Sequence, residues 1–336
     1  MMLSNSFKYA LCVCAGAALL AGCGGGASTT FAPGATSGSN SPSTSLRVNS
    51  PVHPDRGRSW MSPDAKKSAL LYVSDSTTYD VYVFSYPKGK LVGTLTNQNN
   101  PAGLCADKKG HVFVTQLYGG GHIVEYAHGG TSPLESLSDP GYEPGACSVD
   151  PTTGDLAVAN IVSDYFTEGN LMVFPNASGT PTSYSPPSSG NWFSVNTIGY
   201  DNKGNVFFAG SCNSAFCAGM LSKGSGSAQN VSLNESPKNC GTVQWDGKYM
   251  TFDDQTNGTV YRYTFKASSG TEVSSTTLNG SSTVDGSWIS GKNIVAPQQN
   301  GAEVLGYKYP KGGSAMHTIT GMSTPFGTTI SLGKKK

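Results

Sequence analysis

The chain has 336 residues, and its 22 basic residues against 21 acidic ones leave a net charge of +1. Nucleic-acid binding needs a strongly basic surface, and a nearly neutral chain gives no indication of one. The terminal Lys334, Lys335 and Lys336 are interpreted as a solvated end. With 43 Gly, 16 Tyr, 13 Phe and only 13% charged residues, the composition favours many strands and tight turns over helices. We therefore expect an all-β protein.

The N-terminus has the layout of a secretory signal. Lys8 is the only charged residue in the first 22, and the apolar run that follows, residues 10–20, is too short to span a membrane well. The run ends in LAGC at residues 20–23, which resembles the lipobox of bacterial lipoproteins. This resemblance implies cleavage before Cys23 and lipid on its thiol. Because Gly24 rather than Asp follows, it also implies an outer-membrane location if the cell has two membranes, or else the extracellular face of the envelope. The alternative is an ordinary small-residue cleavage site that leaves Cys23 unmodified.

The next segment is rich in Gly, Ser, Thr, Ala and Pro and contains few large apolar residues. Such a composition buries too little surface to offset the entropy lost on ordering. The sequence thus predicts a signal peptide at residues 1–22, a flexible tether at 23–66, one folded domain at 67–333 and a basic tail at 334–336.

The folded domain is predicted to begin near Ala69 with the strand LLYVSD. Two more strands follow, DVYVFSYP from Asp80 and LVGTLT from Leu91, and PFGTTISL from Pro325 is a single strand at the other end. Pairing these two ends completes a four-stranded sheet and removes unpaired edges that would invite aggregation. We therefore expect the C-terminal strand to become the innermost strand beside residues 70–75.

A repeated pattern occupies the chain between these ends. An apolar or small run ends in Asp, a turn containing Gly follows, and a run rich in Val, Phe and Tyr comes next; the pattern returns from Gly145, Thr197 and Gly241. It divides the chain into blades at residues 102–139, 145–187, 195–233, 241–278 and 286–321. With the closing blade, the prediction is a β-propeller of six four-stranded antiparallel blades; five or seven blades are the alternatives.

Three stretches resemble the NHL-repeat type of six-bladed propeller: LYVSD, GLCADKKGHVFVT and HIVEYAHGG. The resemblance covers about residues 70–332 and implies the fold far more specifically than the function. Propellers of this type include binding scaffolds, lyases, peptidyl-amidating enzymes and the related gluconolactonase-like hydrolases.

The second strand of each blade is expected to end at the face of the propeller where ligands bind. Six polar residues occupy these ends: Asp75, Gln116, Asn160, Ser211, Asp254 and Gln298. The resemblance to gluconolactonase-like propellers implies that Asp75, Asn160 and Asp254 supply oxygen ligands to one Ca²⁺ or Mg²⁺. The family's Glu near the start of the folded region has no match here. The alternative is that these residues hydrate the rim and close turns.

Other candidate residues have mainly structural interpretations. Four Asp residues precede turns that contain Gly, where their carboxylates are expected to accept backbone N–H groups: Asp107, Asp150, Asp201 and Asp246. A virginiamycin-lyase-like propeller would need a catalytic His on the ligand face, and only His122 lies near it; the alternative is a turn histidine. No Gly-rich phosphate loop, zinc motif or nucleophile elbow is present, so no catalytic residue is assigned.

Five cysteines follow Cys23 in the body of the chain, and export would permit disulfides. We favour a bond between Cys212 and Cys217, with a bond from either one to Cys240 as the alternative. Cys105 and Cys147 occupy nearly equivalent places on adjacent innermost strands and are interpreted either as a disulfide or as two small buried residues.

Several aromatic residues fall in or near loops on the expected ligand face, namely Tyr118, Tyr165, Phe166 and Trp192. They are candidates for a carbohydrate or peptide platform, and scattered surface aromatics are the alternative. The leading hypothesis is a monomeric, lipid-anchored extracytoplasmic binding or scaffold module whose ligand is unknown. The alternative is a metal-dependent lactonase or lyase.

Overall fold

The computed structural model describes residues 46–49 as backbone, and residues 57–118, 120–281 and 286–333 in full. The predicted signal peptide, Cys23, much of the predicted tether and the terminal lysines lie outside the described residues. Residues 43–336 cluster into one compact unit. In the portion of the chain that the structure describes, no helix has the length and apolarity to cross a membrane.

The described residues form short strands and three brief 3-10 helices, which lie at Ala65–Lys67, Pro175–Ala177 and Ser188–Gly190. The strands in chain order are β1 (Leu46–Asn49), β2 (Trp60–Met61), β3 (Leu70–Asp75), β4 (Asp80–Ser85), β5 (Lys90–Leu95), β6 (Pro101–Ala106), β7 (Val112–Gln116), β8 (His122–Tyr126), β9 (Pro133–Ser138), β10 (Tyr142–Val149), β11 (Leu156–Ser163), β12 (Leu171–Phe174), β13 (Thr182–Tyr184), β14 (Trp192–Tyr200), β15 (Val206–Cys212), β16 (Ala215–Leu221), β17 (Gln229–Leu233), β18 (Val243–Trp245), β19 (Met250–Asp254), β20 (Thr259–Lys266), β21 (Ser269–Asn279), β22 (Trp288–Ser290), β23 (Asn293–Gln298), β24 (Glu303–Lys308), β25 (Gly313–Ser314), β26 (His317–Thr320) and β27 (Pro325–Ser331).

These strands form antiparallel meanders of four, as the repeat predicts. In chain order, the first meander is β27-β3-β4-β5, the second β6–β9, the third β10–β13, the fourth β14–β17, the fifth β18–β21 and the sixth β22-β23-β24-β26. Hydrogen bonding divides the described strands into five sheets rather than six, because a short parallel pairing of β17 with β21 joins the fourth and fifth meanders. With β25, which also pairs with β21, they form one nine-stranded sheet.

The C-terminal strand closes the first meander. β27 pairs antiparallel with β3, with Ser331 opposite Leu70 and Pro325 opposite Asp75. The predicted pairing of the two ends of the domain is confirmed. The strand supplies the hydrogen-bond partners that the inner edge of β3 would otherwise lack.

Part of the predicted tether takes part in the fold. Trp60 and Met61 form β2, which pairs with the outer strand β5, and Met61 packs against the core between the first two meanders. Further upstream, β1 pairs in parallel with β26. β2 forms because Trp60 and Met61 are large apolar residues in a segment of mostly small and polar ones. They pair with β5, whose outer edge would otherwise be unpaired.

The core consists of hydrophobic clusters between successive meanders. Each of the described clusters draws its residues mainly from two neighbouring meanders, and the set runs from the first meander around to the sixth and back. Their largest fully buried members include Tyr72, Phe113, Phe208, Phe252 and Tyr307. Burying a side chain of this size contributes about 1.5–3 kcal/mol before entropic costs, so packing between meanders is the main stabilising term.

The innermost strands surround a central cavity of about 210 Å³. They approach one another closely because glycines lie at the contacts. A Cβ atom on Gly103 would lie 2.5 Å from the carbonyl oxygen of Gly145, and one on Gly327 would lie 2.3 Å from that of Ala102. The Gly that leads many of the repeats therefore permits backbone contact around the axis.

Candidate functional site

Successive strands of each meander alternate in direction, so the second strands all end at the same face. The loops between second and third strands and the connections between meanders lie at this face too, which we call the upper face. Four of the six rim residues predicted from the sequence are the last residues of their strands: Asp75, Gln116, Asp254 and Gln298. Ser211 lies one residue before the end of β15, and Asn160 lies three residues before the end of β11. Five of the six are buried, and Ser211 is half-buried.

Five of these side chains bind the connection that arrives from the preceding meander. Asp75 accepts a hydrogen bond from the N–H of Ser323 at 2.6 Å, Gln116 accepts one from that of Asn99, and Asp254 accepts one from that of Lys238 at 3.0 Å. The amide of Asn160 donates to Asp139 at 2.9 Å, and that of Gln298 donates to Ser281 at 2.8 Å. These residues tie five of the six meanders to their predecessors, a role that sequence reasoning did not assign to them.

Ser211 differs from the other five rim residues. Side chains alternate along β15, and Phe207 and Ala209 pack into the cluster between the fourth and fifth meanders. Ser211 therefore faces the following meander, whereas its five counterparts face the preceding one. The repeat pattern placed Ser211 near the correct end of β15, but the position that faces the preceding meander is one residue away.

The three predicted metal ligands take part in hydrogen bonds within the fold. Asp75, Asn160 and Asp254 lie in three different meanders, and both carboxylates accept two or more backbone N–H groups of adjacent turns and connections. Among the described residues, no three His, Cys, Asp or Glu side chains are grouped so that they can hold a metal ion. The Ca²⁺ or Mg²⁺ site stays a prediction from resemblance.

The four turn aspartates have the predicted structural role. The carboxylate of Asp107 accepts the N–H groups of Lys109 and His111, and Asp201 accepts those of Lys203 and Asn205. Asp150 and Asp246 bind their turns in the same way. One such carboxylate per turn fixes the loop between first and second strands at the face opposite the upper face.

The favoured disulfide is present, and the cysteine pair whose interpretation was left open is also bonded. Cys212 and Cys217 are bonded across the β15–β16 loop, with Cα atoms 5.8 Å apart, and Cys105 and Cys147 join innermost strands β6 and β10, with Cα atoms 5.6 Å apart. Cys240 is buried outside either bond, and its thiol donates to the carbonyl oxygen of Gly210. The alternative pairing of Cys240 is therefore wrong, while a disulfide between Cys105 and Cys147 is confirmed.

Buried carboxyl groups outside the rim show raised pKa values. Burial raises the pKa of Asp253 to about 8, although a hydrogen bond from Ser287 partly opposes this. Burial and the nearby charge of Asp164 raise the pKa of Glu143 to about 7. Asp253 is not among the residues that line the central cavity, and its carboxyl group is bonded by the hydroxyl of Ser287.

His122 begins β8 opposite Gln116 in register, which places both side chains on the same side of the second meander. Its Nδ1 atom is buried without a hydrogen-bond partner among the described residues. Its lyase-like role stays a prediction.

The exposed aromatic residues share one location. Every large aromatic side chain that is exposed in the described part of the chain lies at the upper face, in the first four meanders: Tyr79, Tyr118, Tyr165, Phe166 and Phe193. The other exposed large apolar residues, Leu134, Val273 and Leu332, lie on outermost strands or at the opposite end. A one-sided distribution of this kind is typical of an interaction surface.

This set partly agrees with the sequence prediction. Tyr118, Tyr165 and Phe166 are exposed as expected, whereas Trp192 is only 3% exposed and donates its indole N–H to Asn230. Trp192 is buried because its ring packs 5.1 Å from Phe208 in the core. Sequence reasoning missed Tyr79 and Phe193. Tyr79 could have been identified, because it lies in the loop between the first two predicted strands.

A groove at the upper face lies between the first and second meanders and has a volume of about 540 Å³. Tyr79 and Tyr118 line it from the two loops, and the segment Asn97–Asn100 lines it from the connection between them. Tyr79 has φ 58°, a left-handed conformation that is costly for a bulky residue, on the order of 1–3 kcal/mol. Such conformations are concentrated at binding sites.

Comparison with known proteins supports the fold. No protein-family model and no curated protein sequence matches the chain. The chain is similar to one chain in a crystal structure of a nidogen/laminin complex, with a TM-score of 0.61 and 11% sequence identity over 80% of this chain and 100% of that one. Identity this low carries information on the fold alone. Together with the propeller-like arrangement of four-stranded antiparallel meanders, it shows that the chain is a β-propeller.

Proposed function

We propose that this protein is a lipid-anchored, extracytoplasmic binding module that holds its ligand on the upper face of a six-bladed propeller. The observation that carries this proposal is the confinement of the exposed aromatic residues to that face. The six-blade count treats the nine-stranded sheet as two blades, and it is supported by the hydrophobic clusters that lie between successive meanders around the ring.

The hydrogen bonds of the rim support a scaffold for loops. Asp75 accepts the N–H of Ser323 in the connection from the preceding meander, and it also accepts those of Thr77 and Thr78 in the loop that carries Tyr79. Gln116 accepts the N–H of Asn99, whose side chain donates to the carbonyl oxygen of Tyr118. A rigid platform loses little entropy when it binds a ligand. Loops presented by a rigid body are where binding residues concentrate.

The proposal is tested with the full chain carrying Cys23→Ser, which is expected to be secreted without lipid. Binding of this protein to isolated cell envelopes of the source bacterium is measured against protein concentration. We expect saturable binding that is lost when Tyr79, Tyr118, Tyr165 and Phe193 are all replaced by polar residues. The matched control replaces Leu134, Val273 and Leu332 by Ser, which removes exposed apolar residues elsewhere, and it should bind normally. Equal loss in both variants, or no saturable binding, contradicts the proposal.

The anchor is tested separately by fractionation. If lipid on Cys23 attaches the protein to the membrane, Cys23→Ser moves it to the soluble fraction without changing its melting temperature. A variant that stays in the membrane fraction contradicts the lipid anchor, but this result does not bear on ligand binding at the upper face.

A further inference from the structure

The groove between the first and second meanders is held in shape from both sides. The segment Asn97–Asn100, which we call the amide segment, lies between the loops that carry Tyr79 and Tyr118. The N–H of Gln98 donates to the carbonyl oxygen of Tyr79 at 2.9 Å, which ties the amide segment to the loop that carries Tyr79. On the other side, the amide of Asn99 donates to the carbonyl oxygen of Tyr118 at 2.8 Å. The two tyrosines and the segment between them therefore form one preorganised unit.

The amide segment has an unusual backbone. Asn97 has φ 60° and Asn100 has φ 57°, so with Tyr79 the groove contains three non-glycine residues in the left-handed region. Asparagine tolerates this conformation better than most residues. The turn that results directs consecutive amide side chains to different sides of the segment: Gln98 points inward to Tyr126 and Gln116, while Asn97 and Asn99 are exposed.

Asn100 is 9% exposed and is one of the residues that line the groove. Its side-chain amide is not among the polar groups of the described residues that are buried without a hydrogen-bond partner. An amide at the groove offers both a donor and an acceptor to the hydroxyl groups of a ligand.

The chemistry of the lining selects the class of ligand. Two tyrosine rings, each about half exposed, offer flat apolar faces, and Asn97 and Asn100 offer paired donors and acceptors. Asp80 is the only Asp, Glu, Lys or Arg among the described lining residues, so the groove provides no basic group for an anionic ligand. Sugars combine apolar C–H faces with hydroxyl groups and, when neutral, need no counter-charge.

We propose that this groove binds a neutral oligosaccharide, with sugar faces against Tyr79 and Tyr118 and hydroxyl groups bonded to the amides of Asn97 and Asn100. The proposal rests on the proposed function, since it names the ligand class for part of the same face. Tyr165 and Phe166 lie in another loop and Phe193 lies on β14, all outside the lining of this groove.

Isothermal titration of the Cys23→Ser chain with defined oligosaccharides tests the proposal. The probes are malto-, cello-, xylo- and chitohexaose, with hexagalacturonate as the anionic comparison and a panel of neutral decapeptides as the peptide comparison. We expect at least one neutral hexasaccharide to bind with a Kd below about 1 mM. Tyr79→Asn removes the ring while keeping a residue that accepts the left-handed backbone, and Tyr118→Ser removes the second ring; each should weaken binding about tenfold or more.

Two further variants test whether binding depends on the groove itself. Asn100→Asp preserves shape but removes the amide donor and should also weaken binding about tenfold. Leu134→Ser removes an exposed apolar side chain from the outer strand β9, away from the upper face, and should leave affinity unchanged. Melting temperatures close to that of the parent chain show that the variants are folded. Absence of sugar binding, a preference for hexagalacturonate or peptides, or binding unaffected by the groove variants overturns the proposal. If envelope binding still depends on the upper face in those cases, the proposed function stands and only the sugar assignment fails.

Discussion

At the scale of single residues, Asp246 shows how a turn carboxylate becomes a structural centre. Its carboxylate accepts hydrogen bonds from Arg262 and from the hydroxyl of Tyr309, both at 2.7 Å, and from the N–H groups of Lys248 and Tyr249. Burial alone would raise the pKa of Asp246, but these donors outweigh it and lower the pKa below its usual value. The ionised form is therefore the stabilising one.

Asp246→Asn is expected to lower the free energy of unfolding by about 2–4 kcal/mol at pH 7, because Arg262 loses its buried partner. The folded pKa lies below the unfolded one, so this contribution is present above about pH 4 and is lost as pH falls through the folded pKa. Denaturant unfolding at pH 7 and at lower pH should show the difference between the two proteins shrinking on acidification. Asp64→Asn, which removes an exposed ion pair with Lys67, is the control and should change stability by less than about 0.5 kcal/mol. A difference independent of pH contradicts this account.

At the scale of elements, the innermost strands depend on glycine where they touch. A Cβ atom on Gly103 would lie 2.5 Å from a backbone oxygen and 2.6 Å from the Cα of Ala146, atoms that cannot move away without shifting a strand. Gly103→Ala should therefore destabilise the protein by about 1–3 kcal/mol. Gly226 has no atom within 4 Å of the same position, and Gly226→Ala should be nearly neutral. Thermal unfolding of both variants measures the effect, and equal stability would contradict close packing at the axis.

The closing strand gives a second prediction at this scale. Deleting residues 325–336 removes β27 and leaves the inner edge of β3 without partners. We expect this variant to associate through the exposed edge or to lose cooperative unfolding. Sedimentation velocity and thermal melts measure both properties, with a deletion of residues 334–336 as the control. A monomeric, cooperatively folded variant would contradict the role of β27.

At the scale of the whole molecule, the two function classes differ in their response to cations. A metal-dependent lactonase or lyase predicts that one of Ca²⁺, Mg²⁺, Mn²⁺ or Zn²⁺ restores a melting temperature lowered by chelation. Saturation at about 100 times the dissociation constant would add roughly 2.7 kcal/mol. The binding function predicts no shift, because the carboxylates of Asp75 and Asp254 are engaged by backbone N–H groups in separate meanders. A shift that Asp254→Ala abolishes would favour the enzyme.

The sequence by itself determined the periodic features of this protein. Strand alternation, Asp-containing turns and the unmatched strand at each end of the domain indicated four-stranded meanders and their closure, because these signals depend on residues near one another in the chain. The two disulfides were also among the pairings considered, since strand order limits which cysteines can meet.

Only the tertiary structure decided what the rim and loop residues contact. Asp75, Gln116 and Asn160 bind connections of the preceding meander, a pairing that no local pattern encodes. Trp192 and Phe193 are neighbours in sequence, yet one is buried against Phe208 and the other is exposed, because a single step along a strand reverses the side chain. The groove between Tyr79 and Tyr118 likewise exists only because two meanders pack side by side. The connection between them bonds to both, through the N–H of Gln98 to Tyr79 and the side chain of Asn99 to Tyr118.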